Sequence, residues 1–196
     1  MNATTALSPS ELSLKEGLRR LWADHVIWTR DYVVAAIADS PDAEAVAGRL
    51  LKNQEDIGNA IVPFYGENAG EALTDLLKQH IMIAVELIEA AKTGDQDKFA
   101  DADKQWDQNA ADIASFLSKA NPNWPEKDVV DLLNQHLVLT KNEAVARLEQ
   151  RWEDDIEAFD QIFTEILTVS DVLTAGIVKQ FPEKFGAEVA STTAKK

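Results

Sequence analysis

His25, His80 and His136 are the only three histidines in this 196-residue chain. Each stands in the middle of an apolar stripe at helical spacing, and so do Asn53, Asn109 and Glu165, which alternate with them. In chain order the six are 28, 27, 29, 27 and 29 residues apart. Imidazole is the commonest metal ligand at neutral pH. Three imidazoles with a fourth position open or filled by a carboxylate suit zinc, copper or ferrous iron. The series therefore predicts a buried site for one divalent transition metal, with His25, His80, His136 and Glu165 as ligands. Asn53 and Asn109 are expected to accept the ring N–H of a histidine and so fix its tautomer. Asp56, Asp112 and Asp155, at the stripe edges, are expected to do the same or to relay protons. A metal with water at an open position could support hydrolysis, because it lowers the pKa of that water. The alternative is a non-enzymatic structural or interaction bundle whose His/Asn layer only fixes helix register. No catalytic residue is singled out.

Only antiparallel helices of similar length bring such a series to one level. The fold expected is all-α: an antiparallel helical bundle of about six helices built from repeated helical hairpins. Its single domain spans 13–185, between disordered tails at 1–12 and 186–196. The first helix is expected to start at Ser13, with Glu16 completing a capping box. Ser40 and Pro41 should begin the second as N-cap and N1, and Pro63 should end it. Thr93-Gly94 should close the third, Asp95 should cap the fourth, and Pro125 should open the fifth at N1. No Gly or Pro lies between Pro125 and Gly176. A break near Glu149–Glu153 is nevertheless expected, since it keeps all six helices near 25 residues.

An internal repeat supports this plan. Residues 53–80 align without gaps on 109–136, with eight identities in 28 positions, where chance gives roughly two. Asn53, Asp56 and Ile57 match Asn109, Asp112 and Ile113, and Asp75-Leu-Leu-Lys-Gln-His80 matches Asp131-Leu-Leu-Asn-Gln-His136. A weaker echo, Trp-x-x-polar, recurs at Trp22/His25, Trp106/Asn109 and Trp152/Asp155.

Composition excludes several classes. A net charge of −15 disfavours nucleic acid and anionic membranes and favours cations or basic partners. The absence of cysteine removes disulfides and thiolate ligands. The longest apolar run, Val33 to Ala38, is too short to span a bilayer, and residues 1–13 do not read as a signal peptide. A cytoplasmic location is expected by elimination, and no protein partner is indicated. Glu-x-x-His, His-Glu-x-x-His, a phosphate-binding Gly-rich loop and a nucleophile elbow are all missing.

Three runs carry a resemblance: Leu21-Trp-Ala-Asp-His-Val-Ile-Trp-Thr-Arg30, Asn53-Gln-Glu-Asp-Ile-Gly-Asn-Ala-Ile61 and Gln180-Phe-Pro-Glu-Lys-Phe185. Over residues 18–185 the chain resembles a prokaryotic helical-bundle family whose members often carry the labels glycosyltransferase or acetylglutamate kinase. No nucleotide-binding pattern here supports either label. The resemblance implies a helical bundle with a fourth ligand position at Glu165, where the family often has His. A more distant similarity is to DinB-like bundles, which hold a metal with three histidines at a different spacing.

Overall fold

The structure is a computed structural model that describes residues 7–186. Six helices follow one another: α1 (Pro9–Ile37), α2 (Ala43–Tyr65), α3 (Glu67–Thr93), α4 (Gln96–Ala120), α5 (Glu126–Leu148) and α6 (Trp152–Gln180). A short 3-10 turn, Pro182–Phe185, follows α6. Each helix packs on the next, and α6 returns against α1, which closes the ring. Helices α1, α3 and α5 also touch one another across it, and these three carry the histidines.

Several ends fall where local chemistry puts them. Gly94 adopts the left-handed conformation (φ 72°) that closes α3. Asp95 caps α4 by accepting from the Lys98 N–H at 3.1 Å. The break between α5 and α6 lies at residues 149–151, where Gln150 takes φ 59° without a glycine.

Other expectations shift. The first helix starts at Pro9 instead of Ser13. Ser8 accepts from Glu11 N–H at 3.2 Å while the Glu11 carboxylate accepts from Ser8 N–H at 2.6 Å. This is the same Ser-x-x-Glu box five residues earlier, strengthened by proline at N1. Residues 9–12, expected in a tail, are therefore helical, with Ser8 as their cap, while 1–6 and 187–196 of the expected tails lie outside the described residues. The second helix begins at Ala43, two residues beyond Pro41. It runs through Pro63 to Tyr65, and Gly66 alone (φ 85°) turns the chain into α3. Pro125 is the N-cap of α5, one position before N1.

Close helix approach depends on glycine at two places. A Cβ on Gly58 of α2 would lie 2.6 Å from the Gly70 carbonyl oxygen of α3, and one on Gly176 would lie 1.9 Å from Nε1 of buried Trp124. Most of the core is one cluster drawing on all six helices, including Trp22, Ile57, Leu77, Ile113, Leu133 and Ile166. A smaller cluster, Val33, Ile88 and Ala144, places one residue eight positions after each histidine. The same geometry thus repeats in all three hairpins.

Helix α6 is long and apolar enough to cross a membrane by length and composition, with mean hydropathy 1.4 over its best window. Half of that window is buried inside the bundle, as expected of a core helix packed between α5 and α1.

Candidate metal centre

The three imidazoles lie in one layer. The His136 ring centroid is 5.6 Å from that of His25 and 6.4 Å from that of His80. All are buried, at 3, 5 and 4% exposure for His25, His80 and His136. Trp22 meets the His25 ring edge-on at 5.7 Å, and Trp106 lies against His80 at 5.1 Å. The third member of the Trp echo does not join them, since Trp152 is 50% exposed.

Each histidine uses Nδ1 on a polar side chain 29 residues further on: His25 on Gln54, His80 on Asn109 and His136 on Glu165. The hairpins are thus equivalent in spacing and different in chemistry. Asn109 donates from Nδ2 to the Leu76 carbonyl at 3.1 Å, so its Oδ1 must be the atom that faces His80 Nδ1 at 2.8 Å. His80 therefore carries its proton on Nδ1 and keeps a lone pair on Nε2. Glu165 Oε2 accepts from His136 Nδ1 at 3.0 Å and leaves Nε2 free in the same way.

His25 is the opposite case. Gln54 Nε2 lies 2.9 Å from the Leu50 carbonyl and 3.1 Å from Asn53 Oδ1, so turning this amide over would set oxygen against oxygen twice. Its N–H₂ therefore faces His25 Nδ1 at 3.2 Å, and Nδ1 must be the acceptor. Burial first, then the neighbouring His136 and His80, drives the His25 pKa well below its ordinary value. Burial and His136 push His80 down to about 3, against the Asn109 hydrogen bond. The His25 and His80 rings are neutral at pH 7, with the proton on Nε2 in His25 and on Nδ1 in His80. Long-range ¹⁵N–¹H correlation spectra of the metal-free protein at pH 7 are expected to report those two tautomers. A common tautomer for both would overturn this assignment of the Gln54 amide.

The expected outer partners divide accordingly. Asn109 meets His80, through Oδ1. Asn53 does not reach a histidine: it donates to the Leu21 carbonyl at 3.0 Å, and Gln54 stands at the ring instead. The α1–α2 hairpin is one residue out of register with the 56-residue repeat, because His25 and His80 are 55 apart. The constant spacing of 29 was the signal that could have found Gln54. Glu165 stands behind His136, on its Nδ1, and not beside the Nε2 atoms. Asp56 pairs with Lys52 at 2.9 Å and Asp112 with Gln108 at 3.0 Å, both away from the rings. Asp155 belongs to a separate buried network with Arg30 and Arg147.

The rings line one part of an internal cavity of about 40 Å³ that is otherwise walled by apolar side chains such as Leu77, Leu133, Ile166 and Leu173. On the same measure a water needs roughly 10–15 Å³, so about three water-sized occupants fit. Two imidazoles on one tetrahedral ion, with nitrogens at about 2.0–2.1 Å, have centroids roughly 5 Å apart. The observed separations are wider, and among the described residues no three His, Cys, Asp or Glu side chains are already drawn together closely enough to hold a metal.

No protein-family model, no curated protein and no solved structure matches this chain.

Proposed function

We propose that the chain is a metal-binding helical bundle in which His80 and His136 are the primary ligands of one divalent transition metal, with His25 completing the site. The observation that carries this reading is the placement of acceptors on Nδ1 of His80 and His136, which leaves two Nε2 lone pairs at one enclosed cavity. Zinc, copper and ferrous iron all suit imidazole donors. His25 joins only if its proton moves to Nδ1 and the Gln54 amide turns to receive it. Gln54 Oε1, buried without a hydrogen-bond partner among the described residues, is the atom that would accept it. The cavity admits water or a molecule of a few atoms, so hydrolysis of any larger substrate is disfavoured and metal binding or small-molecule chemistry is preferred.

One observation favours a second reading. Gln54 presents N–H to His25, which suits a polar layer that only specifies packing. Metal analysis of protein purified without a histidine tag separates the two. One metal per chain is expected in the wild type, lost in His80→Ala, with a smaller loss of affinity in His25→Ala because that ring must first change tautomer. Asn109→Ala should weaken binding by about 10–100-fold, the usual effect of removing a ligand's hydrogen-bond partner. Substoichiometric metal unchanged by His80→Ala would leave the packing reading standing.

A further inference from the structure

We propose that a divalent cation reaches the buried histidines through the groove between α5 and α6, past Leu132 and over Glu165. The inference rests on the metal-site reading above. The groove has a volume of about 620 Å³ and is open to solvent. Exposed Glu157 and Asp160 line it, and none of its lining side chains is basic. On this chain such a groove concentrates cations, because like charges along a concave low-dielectric wall focus the field.

Two further observations point inward from it. Glu165 also lines the groove, although it is only 6% exposed. One of its oxygens holds His136, and the other, Oε1, is buried with no hydrogen-bond partner among the described residues. A buried carboxylate oxygen left without a donor is costly unless something else takes it up, and a passing cation is a partner of the right sign. Leu132 lines both the groove and the central cavity, so the two share a wall at this apolar side chain.

Two other open grooves among the described residues lack this combination. The one on α2 and α3 holds Glu55, Glu67, Glu71 and Asp75, but Lys78 lies within it, 2.6 Å from Glu55. The one near the α5–α6 turn is lined by Lys141 and Arg151. Neither shares a lining residue with the central cavity.

The test is stopped-flow uptake of Zn²⁺ by the metal-free full chain, followed by depletion from a chromogenic chelator and paired with stoichiometry at equilibrium. The exposed double variant Glu157→Gln/Asp160→Asn is expected to slow uptake roughly tenfold at low ionic strength, with the final stoichiometry unchanged. Added salt should slow the wild type and have little effect on the double variant. Leu132→Ala, which thins the shared wall, should speed uptake, and Glu165→Gln should slow it. Full stoichiometry with the same rate in the double variant and in Leu132→Ala overturns this route while leaving the metal site intact. A wild type that binds no Zn²⁺ at equilibrium overturns both.

Discussion

Asp155→Ala is expected to destabilise the protein by about 3–5 kcal/mol, the range for removing one partner from a buried ion pair. Asp155 and Glu143 are each 1% exposed. Arg30 of α1 donates to Asp155 Oδ1 at 2.8 Å and Oδ2 at 3.2 Å, and its Nη1 also donates to Glu143. Arg147 of α5 adds a third bond to Asp155 at 3.1 Å. Asp155 thus ties α1 and α5 to the first turn of α6, where the helix dipole also favours a carboxylate. Removal leaves Arg30, over the Phe159 ring at 4.8 Å, sharing only Glu143. Urea unfolding at pH 7 checks this as a fall in midpoint at constant slope. A loss under about 1 kcal/mol would place the network with exposed ion pairs, whose removal has little effect.

The helices were readable because their signals are local. Apolar spacing, the Asp95 cap and Gly94 act within a turn or two, and α3 ends and α4 begins where those residues put them. Errors arose where one signal had two copies or a weak competitor. Ser8-Pro-Ser-Glu11 and Ser13-Leu-Lys-Glu16 are both capping boxes, and only the first has proline at N1. Pro63 sits in the last turn of α2, where it removes only the bond to the Asn59 carbonyl, and the helix runs on to Tyr65 before Gly66 turns it. For the site, the three histidines and the polar series mark the layer, and the bundle brings the rings together. Which atom faces which could not be read from spacing. That Gln54 replaces Asn53 depends on a one-residue offset in α1–α2, and its orientation depends on the Leu50 carbonyl. The Arg30–Asp155 network joins residues 125 apart, and no periodicity reports such a pair.

The metal-free protein should lose stability as pH falls below about 6.5, and Glu143→Gln should steepen that loss by roughly 2 kcal/mol between pH 7 and 5. His80 has a folded pKa of about 3 against 6.5 when exposed. Below 6.5 the unfolded chain therefore takes up a proton that the native chain refuses, so stability falls with pH, by roughly 2 kcal/mol at pH 5 from this ring. His25, also driven well below 6.5 by burial, acts in the same direction. Glu143 opposes them. Burial raises it to about 7 from 4.5, outweighing the attraction of Arg30, while Asp155 adds to the rise. Between those values the native state holds a proton that the unfolded chain has released, so this group adds stability as pH falls, again by roughly 2 kcal/mol from pH 7 to 5. In the wild type Glu143 and His80 nearly cancel, and the decline left follows His25. Glutamine at 143 keeps the shape and removes the offset. Urea unfolding of both proteins at pH 7 and pH 5 measures the difference, and equal declines would mean that Glu143 stays ionised beside Arg30 throughout. Saturating Zn²⁺ adds a second contrast. A bound ion holds the rings neutral in the native state, and its affinity falls as protons compete for them. The stabilisation by Zn²⁺ should therefore shrink from pH 7 to 5 in the wild type and vanish at both pH values in His80→Ala.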